Sequence, residues 1–130
     1  MTFDAIGIAG SGLTLHRQWL DALADNMANV NTATSTNGDA FQARYIAAQE
    51  GDGISGVYAT GASFGSAEGR MVFEPSNPLA DEAGYVRYPE IDLAEQMGQL
   101  IMAQRGYQAN AAVVDRAKTT YEAALQIGRS

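Results

Sequence analysis

Apolar residues in the last third of the chain recur every three or four positions. Leu93, Met97, Leu100, Tyr107, Ala111, Val114, Tyr121 and Leu125 mark the repeat, with Gln104 and Lys118 in the two remaining slots. This spacing lays a narrow apolar seam along a helix over residues 93–125, roughly 50 Å long at about 1.5 Å per residue. Asp92 and Glu95 suit an N-terminal capping box, and Gly128 a C-terminal stop. So thin a stripe needs a partner, and residues 5–30 supply one. There Ile6, Leu13, Leu20 and Met27 lie seven apart, and Ala9, His16, Leu23 and Val30 follow each by three. The heptad pattern predicts a second helix whose seam covers the first. Gly7, Gly10 and Gly12 weaken its first half, each by about 1 kcal/mol relative to Ala.

Between these helices the period changes. Residues 31–39 are turn formers without periodicity, and Asn37-Gly38 is a tight-turn pair. Residues 41–48, 54–64, 71–74 and 85–88 read as short strands, interrupted by Gly56 and Gly61 and bounded by Pro75, Pro78 and Pro89. The pattern predicts an α+β fold. Long N- and C-terminal helices pair as a coiled-coil-like hairpin, with a small Gly-rich β region inserted between them. The chain then divides into residues 1–32, an N-terminal helix; 33–90, a β-rich and loop middle; and 91–130, a C-terminal helix.

Composition sharpens this picture. The chain has 130 residues, 46% of them hydrophobic, yet Leu, Ile, Val and Phe together number 25. A compact core is therefore thin, and helices that bury their faces against other subunits suit the composition better. The net charge of −7 argues against nucleic acid as a partner. Residues 33–92 hold nine acids and three bases, so the solvated middle carries most of the excess and the ends stay nearly neutral. The absence of cysteine excludes disulfides and thiolate metal sites. No apolar run approaches the roughly 20 residues of a membrane span. The N-terminus lacks the basic and apolar regions of a cleaved secretory signal, so none is expected.

Catalytic chemistry finds no foothold. His16 is the sole histidine, and its helical neighbours Gly12, Leu13, Trp19 and Leu20 offer no metal or proton-transfer partner. It reads as a packing histidine. Gly51-Asp-Gly53 and Asn37-Gly-Asp39 lack the acidic spacing of a calcium loop and read as turns. No nucleophile-elbow, phosphate-loop or His-Glu-x-x-His pattern exists. No enzymatic activity, cofactor or metal is expected. The informative residues are instead those off the seams. Leu15, Trp19, Ile101, Met102 and Val113, with Arg105, are candidates for contacts between subunits, each apolar one worth about 1.5–3 kcal/mol when buried. Gln108 and Asn110, and Asn26, Asn29 and Asn31 at the end of the first helix, are candidates for polar contacts that fix helix register.

Three stretches carry a resemblance. The first helix ends in Leu23-Ala-Asp-Asn-Met-Ala-Asn-Val-Asn-Thr32. The middle holds Glu74-Pro-Ser-Asn-Pro-Leu-Ala-Asp81, Gly84-Tyr-Val86 and Pro89-Glu-Ile-Asp92. The last helix holds Glu95-Gln-Met97 and Arg105-Gly-Tyr-Gln-Ala-Asn110. In this order and spacing they resemble the flagellar rod and hook protein family across essentially the whole chain, and most closely its proximal-rod branch. Glu90 stands where that branch usually has Asn, and Ile91 where it has Val. The resemblance implies a non-enzymatic structural subunit of the bacterial flagellar basal body. Such subunits assemble helically into the periplasmic rod, the drive shaft that transmits torque for motility. It implies export by the flagellar type III apparatus, without a cleaved signal. It also implies as partners other copies of the chain, FlgB-, FlgF- and FlgG-like rod subunits and a FliE-like adaptor. An independent helical adaptor that does not polymerise is the alternative that the heptads alone allow.

Overall fold

The computed structural model describes residues 2–129. Six elements follow one another: α1 (Thr2–Ala28), β1 (Arg44–Glu50), β2 (Val57–Phe64), β3 (Arg70–Phe73), β4 (Tyr85–Tyr88) and α2 (Leu93–Arg129). The two long helices pack together, with small two-stranded sheets between them in the chain, an α+β arrangement.

α1 starts four residues before its heptads and ends two short of them, while α2 runs four residues past its own. α1 passes through Gly7, Gly10 and Gly12 without a break, so packing outweighs the propensity cost there. It unwinds after Ala28 through hydrogen-bonded turns, with the Asn29 amide reaching Asp25 O at 3.1 Å and the Thr32 amide reaching Asn29 O at 3.0 Å. α2 starts where the sequence placed it. Asp92 Oδ1 accepts from the amides of Ala94 at 2.9 Å and Glu95 at 3.3 Å, which satisfies two of the orphan donors at a helix start. The reciprocal half of the capping box does not form, because Glu95 Oε1 instead accepts from Gln99 Nε2 at 3.2 Å. Gly128 does not stop the helix, which continues to Arg129.

β1 pairs with β2, and β3 with β4. Both strands of the first pair begin about three residues later than the sequence suggests. The residues before them are held differently: Ser55 closes a turn onto Asp52 O at 3.1 Å, and Gly56 takes a left-handed φ of 80°. Backbone hydrogen bonds extend the pairing beyond the strands, with the Gly65 amide on Ala43 O at 2.7 Å and the Ala40 amide on Ala67 O at 2.8 Å. β3 and β4 are antiparallel in the register Arg70↔Tyr88, Met71↔Arg87, Val72↔Val86 and Phe73↔Tyr85. Thr34 bridges to Arg87 on the other side of β4.

The chain forms two compact units, and each draws on all three of the stretches marked by the sequence. One comprises the residues up to Leu20, Ile46–Gly61 and those from Ile101 onward. In it Ala9, Gly12 and Ala103 are buried. The other comprises Asp21–Tyr45 and Ala62–Leu100. Its core is Ala22, Leu23, Ala40, Ala43, Val86 and Pro89, together with the polar Asn26 and Gln96.

Candidate functional site

The face that each helix covers is not the face of highest hydrophobicity. On α1 the covered positions are Ala9, Gly12, His16, Trp19, Ala22, Leu23 and Asn26. One of the two expected lines, Ala9 through His16 to Leu23, is therefore on the inside. The other inner line is Gly12, Trp19 and Asn26, while Ile6, Leu13, Leu20, Met27 and Val30 are half-buried at its margins. On α2 the covered positions are Gln96, Leu100, Ala103, Gly106, Asn110, Val114, Ala117 and Tyr121. Leu100, Val114 and Tyr121 of the expected seam belong to this face and are half-buried. Leu93, Met97, Tyr107 and Leu125 do not belong to it: they are 43%, 50%, 37% and 50% exposed. The α2 seam is thus turned by about one residue from its expected position. Small and amide side chains occupy the inner line because they let two backbones come close, which large side chains prevent.

The contacts in each unit show why. In the first, an added Cβ on Gly12 would lie 2.6 Å from Asn110 Oδ1, and one on Gly106 would run into the His16 ring. Four residues forward on α1 thus correspond to four back on α2, so these segments are antiparallel. His16 Nδ1 donates to Gly12 O at 2.7 Å, since a carbonyl can only accept. That bond fixes the ring over Gly106 and makes His16 a packing residue. Asn110 Nδ2 donates to Gly106 O at 2.9 Å. Asn110 is therefore engaged with its own helix and faces α1.

In the second unit the inner contact is polar. Asn26 Nδ2 donates to Gln96 Oε1 and to Arg44 O, both at 3.0 Å, and Asn26 Oδ1 accepts from the Arg44 amide at 2.8 Å. One buried side chain thus ties α1 to α2 and to the start of β1. Arg44 is held further by Asp25, at 2.7 Å. Asn26, expected at a contact between subunits, is spent within the chain. Asn29 caps locally: its Nδ2 donates to Asp25 O at 2.9 Å, and its Oδ1 accepts from Thr32 Oγ1 at 3.0 Å.

The hairpin loops are pinned by charge. Asp81 Oδ1 accepts from the amides of Ala83 and Tyr85, both at 2.9 Å, and Oδ2 from Thr36 Oγ1 at 3.1 Å. The Tyr85 amide, with Thr36 and Ala83, holds the Asp81 carboxyl below the usual carboxylate range, against a smaller opposing effect of burial. Arg87 gathers two loops by donating to Thr36 O at 2.9 Å and to Glu68 O. Tyr88 donates to the Glu74 carboxylate at 3.0 Å, which raises the phenol above its ordinary value.

Several large apolar side chains remain outside. Ile101, Met102 and Val113 are 51%, 64% and 46% exposed. Arg105, Gln108 and Asn31 are exposed as well. Leu15 and Trp19 are half-buried and, with His16, Ile46 and Ala48, line a cleft of about 240 Å³. The sequence missed the inner role of Gln96, Gly106 and Ala103. The signal was available in the seven-residue spacing of Gln96, Ala103 and Asn110, with Gly106 three residues after Ala103, but weighting by hydrophobicity hides it. Among the described residues no cluster of three or more His, Asp or Glu is placed to hold a metal, and no helix is long and apolar enough to cross a membrane.

Comparison with known proteins gives these surfaces a context. The family model described as flagellar basal body rod FlgEFG protein C-terminal matches residues 82–127, which include all of α2 but its last two residues. Over 126 residues the chain is 39% identical to the flagellar basal-body rod protein FlgC of Yersinia enterocolitica, with 94% of each chain covered. It is 35% identical to that of Escherichia coli O157:H7 and 33% identical to that of Salmonella typhi, again over 94% of both chains.

Proposed function

The chain belongs to the FlgC family of flagellar basal-body rod proteins, and from that premise we propose that it builds the proximal, periplasmic part of the rod by helical repetition. It is a structural subunit and not an enzyme, and membership of the family implies assembly with rod proteins. Its neighbours in this reading are further copies of itself, FlgB-, FlgF- and FlgG-like subunits and a FliE-like adaptor. It reaches them through the flagellar type III apparatus. Once assembled, the close-packed helices carry torque along the shaft, because interdigitated interiors transmit strain.

One observation carries this reading. Ile101, Met102 and Val113 stand exposed on the outer faces of α2. Each is worth about 1.5–3 kcal/mol on full burial, a gain that only contact with another chain can realise. The test is Ile101→Asp in cells that lack the native chain. The variant should fold, since the side chain is exposed, but should fail to enter basal bodies and abolish swimming. Normal swimming with a folded variant would favour the non-polymerising adaptor.

A further inference from the structure

Charge is divided between the two compact units. Asp21–Tyr45 with Ala62–Leu100 holds ten acids and three bases, and so accounts for the whole net charge of −7. The other unit balances five acids against five bases. Within that balance, residues 101–130 carry four bases and two acids. The three bases of the acidic unit are already engaged: Arg44 by Asp25, Arg87 by loop carbonyls, and Arg70 stacked 5.2 Å from the centre of the Tyr88 ring. Ten carboxylates against three cations leave a surplus of seven that the unit cannot balance by itself.

Residues of the opposite kind share one outer face of α2. Met102, Arg105, Ala109, Val113 and Arg116 follow at steps of three and four, which stacks them on one side of a helix over about 21 Å. All five are exposed, and neither arginine has an ion pair among the described residues. The face is thus apolar with two unspent cations. In the acidic unit, a cleft of about 500 Å³ presents the matching chemistry, with Tyr45 and Ile91 as apolar walls and the carboxylates Glu90, Asp92 and Glu95 outnumbering its one cation, Arg70.

We propose that the α2 face of Met102, Arg105, Val113 and Arg116 docks on the acidic unit of a second copy of the chain, at the cleft of Tyr45, Glu90, Ile91 and Glu95. The two surfaces are different sets of residues, so each copy can offer its helix face to one neighbour and its cleft to another, which is a head-to-tail contact. A head-to-tail contact whose rotation does not close on itself propagates as an open helix, whereas a face that met its own copy would stop at a dimer. Charge complementarity selects the partner surface and the polarity of growth, and the methionine and valine supply the buried area. The inference rests on the rod reading and adds the residues that would set the direction of stacking.

Charge exchange tests it in cells that lack the native chain, with the amount of chain in isolated basal bodies as the readout. Arg105→Glu/Arg116→Glu should lower incorporation at least tenfold, and Glu90→Arg/Glu95→Arg should do the same. The four substitutions combined should restore most of it. Asp39→Arg/Glu82→Arg makes the same change of net charge outside the cleft and should leave incorporation intact. Circular dichroism of each purified chain separates lost folding from lost docking. Undiminished incorporation of either cleft or helix variant would overturn the contact, as would folded quadruple chains that are not restored. Absence of the unaltered chain from basal bodies would instead remove the rod reading, and the contact with it.

Discussion

Asn26 and Gln96 meet side chain to side chain at 3.0 Å, 70 residues apart in sequence, with 0% and 1% of their surfaces exposed. The pair holds α1 against α2 through amides in a place where a heptad reading expects hydrocarbon. The buried Asn26 amide is tolerable because nearly all of its capacity is used: it also pairs both backbone groups of Arg44. Removing one member strands the others.

Asn26→Ala leaves the Arg44 amide and carbonyl and the Gln96 carbonyl oxygen without their partner. Each stranded buried group costs about 1–3 kcal/mol, so the loss should exceed that of a typical core truncation. Denaturant unfolding of the purified chain measures it. A loss below about 1 kcal/mol would mean that water replaces the amide.

Glycine-to-alanine changes should divide by what stands opposite. Gly98 is exposed on α2 with open space around its missing Cβ, so Gly98→Ala should stabilise the chain by about 0.5–1 kcal/mol. Gly69 has a φ of 59°, and a Cβ there would strike the backbone carbonyl of Tyr88. Backbone cannot swing away as a side chain can, so Gly69→Ala should destabilise by about 1–3 kcal/mol. Thermal melts of the two variants beside the unaltered chain give the comparison.

Asp81 makes the loop between β3 and β4 sensitive to acid. Its carboxyl titrates lower in the folded chain than in the unfolded one, chiefly because the Tyr85 amide donates to the charged form. The unfolded chain therefore takes up the proton first as pH falls. The contribution is complete above the unfolded value, near 3.9, and is lost as pH drops through the depressed folded value. Asp81→Asn should flatten that part of the stability profile between pH 5 and 2, measured by denaturant midpoints across the range. An unchanged acid slope would place the sensitivity elsewhere.

Leu23 and Ile101 should separate folding from assembly. Leu23 is 1% exposed and Ile101 is 51% exposed. Leu23→Ala opens a cavity and should cost about 2–5 kcal/mol in the isolated chain. Ile101→Ala should stay within about 0.5 kcal/mol in isolation. Its effect should appear only in the amount of chain recovered with basal bodies.

The hydrophobic period and capping residues were enough to locate both helices, because a 3.6-residue repeat and an Asp at a helix start act locally. The same is true of β4, found at residues 85–88 as read, and of the family, whose motifs are spread along the whole chain. Sequence alone also settled the lack of cysteine chemistry and the acidic charge. Which side of each helix turns inward was decided only by tertiary packing. Leu93 and Met97 look like core and lie outside; Gln96, Ala103 and Gly106 look indifferent and lie inside. The reason is that hydrophobicity measures the gain from leaving water, while close approach of two backbones depends on volume and on satisfied amides. Those quantities exist only once both helices are in place. A subunit made to be covered by its neighbours can leave its greasiest residues for them.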